Sequence, residues 1–375
     1  MMSEKRLHIV DLDVPFPANY GAAIDMYFRI RSLHELGVKI ILHCFEYGRG
    51  KAPRLSNYCE EVHYYPRKSI LEFPFKKEPY IVYSRDNKDL FDRLFADEYP
   101  VLLEGVHTCA CLMDERYKQK SFYVRMHNVE SEYYEHLTLA TANPLKRMYY
   151  EAEAERLKKF EENLSRAKVL FSVSERDHAT LSAKYSHVEY VPPFIYNDVV
   201  DCKPGRGGYA IYHGNLGVEE NRRAAKFLIN EVFPGLKFPL MIVGTKASSL
   251  ASRIKKYSNI DFVSSPIPND LKNLIQNAQV HVLPTFQPTG IKHKLINSLF
   301  SGRFCVVNPP MVEGNGLAQF CHVADTAEEM RKIIRKLFTE DFTEEEIEKR
   351  RNLLQNIYSN SKNAQKLVDI IFGTK

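Results

Sequence analysis

PTFQPTGIKHKLINSLFSGRFCVVN, residues 284–308, carries the pattern on which the fold of this 375-residue chain turns. An apolar run, Val280–Leu283, leads into a Pro/Gly loop. The loop opens a helix with Ile291, Leu295 and Leu299 on one stripe, and a second apolar run, Phe304–Val307, follows. Strand, helix and strand in that order predict a parallel α/β layer. Lys292, His293 and Lys294 stand in the first helical turn, the end where the macrodipole already places partial positive charge. Cations there are explained by an anion at the helix N-terminus, such as a diphosphate facing open backbone N–H groups.

The same alternation extends in both directions. Before residue 195, strands are expected at 7–12, 39–44, 62–65, 101–104, 122–126, 169–173 and 188–191. Helices are expected at 22–36, 108–116, 145–167 and 175–184. Residues 66–98 are aromatic and charged and give no clear period. Pro192, Pro193, Pro204, Gly205, Gly207 and Gly208 punctuate a linker. After it, strands fit 209–213, 240–244, 260–263, 280–283, 304–307 and 320–323. Helices fit 218–232, 247–256, 268–277, 291–301 and 326–337, and one or two more fill 343–372. The reading is α/β, with two doubly wound, Rossmann-like domains facing a cleft. Ligands in such sheets bind beyond the carboxyl ends of strands.

Composition narrows the function. With 44% apolar and 26% charged residues, the chain is of globular type, and no apolar run approaches the ~18 residues of a membrane span. The N-terminus lacks a secretory h-region. Seven scattered cysteines, with Cys109 and Cys111 two apart, build neither a zinc site nor a disulfide framework, so a reduced, cytoplasmic setting is expected. A net charge of +5 suits anionic ligands or the inner face of a membrane and makes no case for nucleic acid.

Several stretches resemble the GT-B glycosyltransferases of the retaining family 4 (group 1) type, over nearly the whole chain. They are VPFPANYGAAIDMYFRIRSLHELGVKI (14–40), RMHNVESEYY (125–134), SVSERD (172–177), YHGNLGVEENRRAAKFLINEVFPGL with FPLMIVG (212–244), and TGIKHKLINSLFSGRFCVVN (289–308). All five fall in the family's order. The resemblance implies an acceptor-binding domain over 1–195, with 351–375 packed back on it, and a donor-binding domain over 203–350. It implies transfer of a sugar from a nucleotide diphosphate-sugar to a glycan or lipid-linked acceptor, with retention of configuration. No cofactor and no metal are expected.

By resemblance, His127 is the catalytic candidate. Gly21, Ala22, Asn128 and Glu104 are candidates on the acceptor side. Gly214, Asn215, Leu216, Lys246, Thr289, Gly290, Ile291, Lys292, Lys294 and Asn297 are candidates for the donor. Backbone amides of the 214–217 turn are expected to cradle a diphosphate. Lys292 and Lys294 are either phosphate ligands or solvated lysines. Glu104 is either a cleft acid or a helix cap. The sequence departs from the family where two glutamates are usual, at Thr289 and Asn297, and where Arg and Lys are usual, at Asn215 and Glu220. These departures keep two other readings open, a catalytically degenerate scaffold and a nucleotide-sugar epimerase.

Overall fold

The computed structural model describes residues 4–72, 77–141, 143–245, 250, 254–287 and 290–373. The chain divides into two compact units. The first comprises Met1–Phe194, Thr289–Ile291 and Asn360–Lys375, and the second comprises Ile195–Pro288 and Lys292–Ser359. The division falls within the Pro/Gly-punctuated linker.

In the first unit the strands are β1 (Arg6–Asp11), β2 (Lys39–Glu46), β3 (Glu61–Pro66), β4 (Val101–Glu104), β5 (Phe122–Met126), β6 (Val169–Ser172) and β7 (Val188–Tyr190). All pair in parallel, in the order β3-β2-β1-β4-β5-β6-β7. Side chains alternate across a strand, so neighbouring residues enter opposite layers. Leu7, Ile9, Ile40, Leu42 and Leu102 pack with Tyr27, Ile30 and Leu33 of the helix Gly21–Glu35 and with Leu367 and Val368 of the helix Asn360–Phe372. Val10, Val101, Leu103, Phe122 and Val124 pack on the other face against Leu157, Phe160 and Leu181. Burial on both faces is what a sheet wrapped by crossover helices requires.

The second unit repeats the plan with β8 (Ala210–His213), β9 (Leu240–Gly244), β10 (Ile260–Ser264), β11 (Val280–Leu283), β12 (Phe304–Val307) and β13 (His322–Val323). The order is β10-β9-β8-β11-β12-β13, again parallel. The helix His293–Ser301 connects β11 to β12, as its stripe predicts, with Leu295 and Leu299 fully buried. It ends at Gly302, where a Cβ would collide with the ring of His281.

The tail splits between the units. The helix Glu344–Ile357, closed at its start by a Thr343/Glu346 capping box, belongs to the second unit. Its Arg350 donates to the carbonyls of Leu299 (3.1 Å), Gly302 (2.7 Å) and Arg303 (2.6 Å). Only the segment from Asn360 onward joins the first unit, where Tyr123 Oη donates to the Ile371 carbonyl at 3.2 Å. Among the described residues no helix is long and apolar enough to cross a membrane.

Candidate active site

Both sheets reverse their strand order between the first strand and the fourth. Loops leaving that switch point part in opposite directions and open a crevice. In the first unit the switch lies between β1 and β4, and β5 is the next strand along. Glu104 ends β4 and His127 follows β5. Glu104 has no exposed surface, and its Oε1 pairs with Arg29 Nη2 at 2.7 Å. With Glu104 paired to a guanidinium, His127 Nε2 is the donor to Glu104 Oε2, at 2.8 Å. His127 Nδ1 is then the open ring atom, buried and without a partner among the described residues. The Glu104 carboxylate caps no helix among the described residues; its contacts are to His127 and Arg29.

Beneath the histidine lies a buried charge network. Arg29 Nη1 donates to Asp25 Oδ2 at 2.8 Å. Arg125 donates to both Asp25 oxygens, at 2.9 and 2.8 Å, and to the carbonyls of Val191 and Pro192. Burial opposes ionisation of Asp25, but the Arg125 and Arg29 guanidiniums together hold its carboxyl below the ordinary range. Asp11 goes the other way: burial, reinforced by Glu104, pushes its carboxyl well up. Two guanidiniums thus face Asp25 and Glu104, and Arg29 Nη2 also lies 3.9 Å from Asp11 Oδ1. Asp25, Glu104 and His127 are the one group among the described residues with metal-ligand spacing. Arg29 and Arg125 already supply the positive charge there.

The remaining acceptor-side candidates lie around this centre. Asn128 Nδ2 donates to Glu130 Oε1 at 3.2 Å, and its buried Oδ1 has no partner among the described residues. Gly290, which groups with the first unit, has φ +81°, and a Cβ on it would lie 3.1 Å from that Oδ1. Gly21 and Ala22 open the helix Gly21–Glu35, whose N-cap Tyr20 makes no side-chain cap, so first-turn N–H groups stay available.

In the second unit the structure corrects one expectation. Three of the four amides of the 214–217 turn already donate within the protein. Gly214 N donates to the Val243 carbonyl (2.9 Å), Leu216 N to the Thr245 carbonyl (3.1 Å) and Gly217 N to Asn215 Oδ1 (2.9 Å). Leu216 is 1% exposed and belongs to the core. Asn221 Nδ2 locks the turn through the Asn215 carbonyl at 3.0 Å, and Asn215 Oδ1 also accepts from Thr245 Oγ1. The turn is self-satisfied and offers no cradle of three amides.

Lys294 is not a solvated lysine. Its Nζ donates to Asn221 Oδ1 (2.7 Å) and Tyr212 Oη (3.0 Å) and sits 4.5 Å over the Tyr212 ring. Burial lowers its pKa to about 8, against the pull of the Glu220 carboxylate, with Lys292 lowering it further. Lys292 is the helix N-cap, half-buried, and its Nζ donates to the Gln287 carbonyl at 2.6 Å. Ile291 is half-buried beside it. The Asn297 side chain makes no hydrogen bond among the described residues and is partly exposed. Lys246 and Thr289 lie outside the described residues, as does most of the expected helix 247–256.

Glu220, where the sequence departs from the family's usual cation, accepts through its carboxylate from Thr285 Oγ1 beyond the end of β11. Sequence patterning did not single out His213, whose Nε2 lies 3.0 Å from Ser298 Oγ and whose ring burial, with Lys294 adding, keeps well below the ordinary pKa. The Asp25–Arg29 spacing of four on a helix and the Arg125–His127 alternation were the available signals for the buried network.

Residues 208–340 match the model of the family described as Glycosyl transferases group 1. An uncharacterized 44.6 kDa protein in the cps region of Klebsiella pneumoniae is 25% identical over 335 residues, covering 83% of this chain and 84% of that protein. Sucrose-phosphate synthase from Thermosynechococcus elongatus superposes with a TM-score of 0.71 at 13% identity, over 99% of this chain and 100% of that one. A mutant of S. aureus TarM, in complex with fondaparinux, α-GlcNAc-glycerol and UDP, superposes with a TM-score of 0.68 at 10% identity, over 98% and 99% of the two chains. The switch-point geometry and these likenesses agree: the chain has the fold of the GT-B glycosyltransferases, and its residues 208–340 match the model described as Glycosyl transferases group 1.

Proposed function

We propose that this protein is a hexosyltransferase that moves a sugar from a nucleotide diphosphate-sugar to a glycan or lipid-linked acceptor, with retention of configuration and without a metal ion. The observation that carries the reading is Lys294. It is a half-buried ammonium, bonded to a phenol and an amide and, among the described residues, to no carboxylate, in the first turn of the helix Lys292 caps. Partial burial of a cation without an ion pair is costly, and a diphosphate supplies the missing charge. Lys292 lies beside it, and the Asn297 amide, one turn on, suits neutral hydrogen bonds to ribose hydroxyls. In the first unit, His127 Nδ1 accepts a hydrogen bond from a sugar hydroxyl, with Glu104 fixing the tautomer.

When the bond from the anomeric carbon to the diphosphate breaks, charge collects on the leaving phosphates and on the sugar ring. Fixed cations and preorganised dipoles lower that barrier. The place of the Klebsiella relative in a cps region supports a role in polysaccharide biosynthesis. Contact with the inner face of a membrane is consistent with the basic net charge.

The test is a thermal-shift screen with UDP, GDP, ADP and CMP in the presence of a chelator, followed by donor turnover with sugars of the nucleotide that binds. A ligand of the folded state raises its stability. Stabilisation and turnover under chelation support the proposal, and stabilisation by none of the four overturns it. Binding without turnover on any acceptor selects the scaffold reading, which the amide of Asn297 and the carboxylate of Glu220 favour.

A further inference from the structure

The first unit holds a second group of cations that the transferase reading leaves without a task. Arg85 follows the short helix Tyr80–Tyr83 and is 4% exposed. Its Nε donates to the Leu12 carbonyl at 2.9 Å, just past the end of β1, and its Nη1 donates to the Ile81 carbonyl at 2.8 Å. Nη1 also reaches Ser84 Oγ at 3.4 Å, and Nη2 of Arg67 donates to the same hydroxyl at 3.2 Å. Two guanidiniums therefore converge on one buried serine. Neither makes an ion pair among the described residues, and Nη2 of Arg85 bonds nothing there.

The acids nearby are occupied or neutralised. Asp13 accepts from the Val14 N–H at 2.8 Å and from Tyr20 Oη at 3.1 Å, and Arg49 Nε lies 3.8 Å from it. Burial pushes Glu130 up to about 7. His107 is held well below its ordinary pKa, first by burial and then by the charge of Arg85, and its Nδ1 is buried without a partner among the described residues. Burial, with Arg67 next, lowers Arg85 itself to about 9. Like charges packed out of water without a counterion are unfavourable. A fold keeps such a pair where a ligand brings the opposite charge. Planar guanidiniums match oxyanions of phosphate and carboxylate in a bidentate way.

We propose that Arg85 and Arg67 seat an oxyanion, a phosphate or a carboxylate, carried by the acceptor. The site lies at the carboxyl ends of β1 and β4, at the switch point that also holds Glu104 and His127. The assignment rests on the transferase reading and narrows its acceptor to an anionic one. The phosphate could come from a lipid-linked or sugar phosphate, and the carboxylate from an acidic sugar.

The experiment saturates the full-length protein with the nucleotide that stabilises it, so that the donor side is filled. Inorganic pyrophosphate and methyl glucuronide are then titrated calorimetrically. Binding of pyrophosphate assigns the seat to a phosphate, and binding of the glucuronide alone assigns it to an acidic sugar. In either case R67Q and R85Q should weaken the anion by about 10- to 100-fold while nucleotide affinity stays unchanged. R67Q decides the matter if R85Q does not fold, because Arg67 is half-buried and stacked 4.0 Å over the exposed ring of Tyr47. Failure of both anions to bind, or wild-type anion affinity in R67Q, overturns the proposal. If no nucleotide binds the wild type, the transferase reading falls, and the effect of R67Q on pyrophosphate affinity judges the seat alone.

Discussion

His127 Nε2 donates to Glu104 Oε2 across 2.8 Å, and the other oxygen of Glu104 faces Arg29 at 2.7 Å. The contact fixes the ring's tautomer and leaves the buried Nδ1 as the acceptor.

The His127→Ala variant should keep nucleotide affinity and lose turnover by about 10²-fold, the lower range for a positioned imidazole. Steady-state kinetics with a nucleotide titration alongside checks the split. Equal losses in both would make His127 a structural residue.

Glu104→Gln removes one carboxylate from a buried network and leaves Arg29 and Arg125 to share Asp25. Breaking such a pair costs about 3–5 kcal/mol. Urea unfolding should show that loss. Asp25→Asn should behave alike, since both Arg29 and Arg125 donate to Asp25.

Lys294 gives a pH signature. Its folded pKa of about 8 lies below the ordinary lysine value of 10.5, so the fold disfavours the charged form. The resulting stability penalty is fully present below pH 8. It is relieved as pH rises from about 8 toward the unfolded value. Nucleotide affinity runs the opposite way, because the diphosphate selects the ammonium. Affinity should fall by up to about tenfold per pH unit above 8, and Lys294→Met should flatten that slope. Titrations between pH 7 and 9.5 measure both curves.

Gly244 closes β9 against the 214–217 turn, where a Cβ would collide with the Gly214 carbonyl oxygen. Gly244→Ala should cost about 1–3 kcal/mol by overpacking and displace the turn that Asn221 and Lys294 share. Chemical denaturation reads the first effect and nucleotide affinity the second.

The doubly wound architecture was legible because the central strands are short apolar runs and helices such as His293–Ser301 show a buried stripe. The helix expected at 268–277 is observed as Pro268–Asn277. Legibility failed where elements are short and held by distant partners. Residues 66–98 resolve into the turns Ile70–Glu72 and Tyr80–Tyr83 and the helix Lys88–Leu94, too brief for a period to register. The helix Glu130–Ala140 also escaped, because its buried residues are the polar Glu130 and Ser131. In the site, the lysines at 292 and 294 were readable from helix electrostatics. The use of the 214–217 amides was not, since their acceptors Val243 and Thr245 lie on another strand and the loop after it.

The most direct measurement is a calorimetric titration, under chelation, of the stabilising nucleoside diphosphate into the wild type and Lys292→Ala. A diphosphate held by that ammonium predicts a loss of about 1–3 kcal/mol in the variant. Equal affinity in the two proteins would contradict the account.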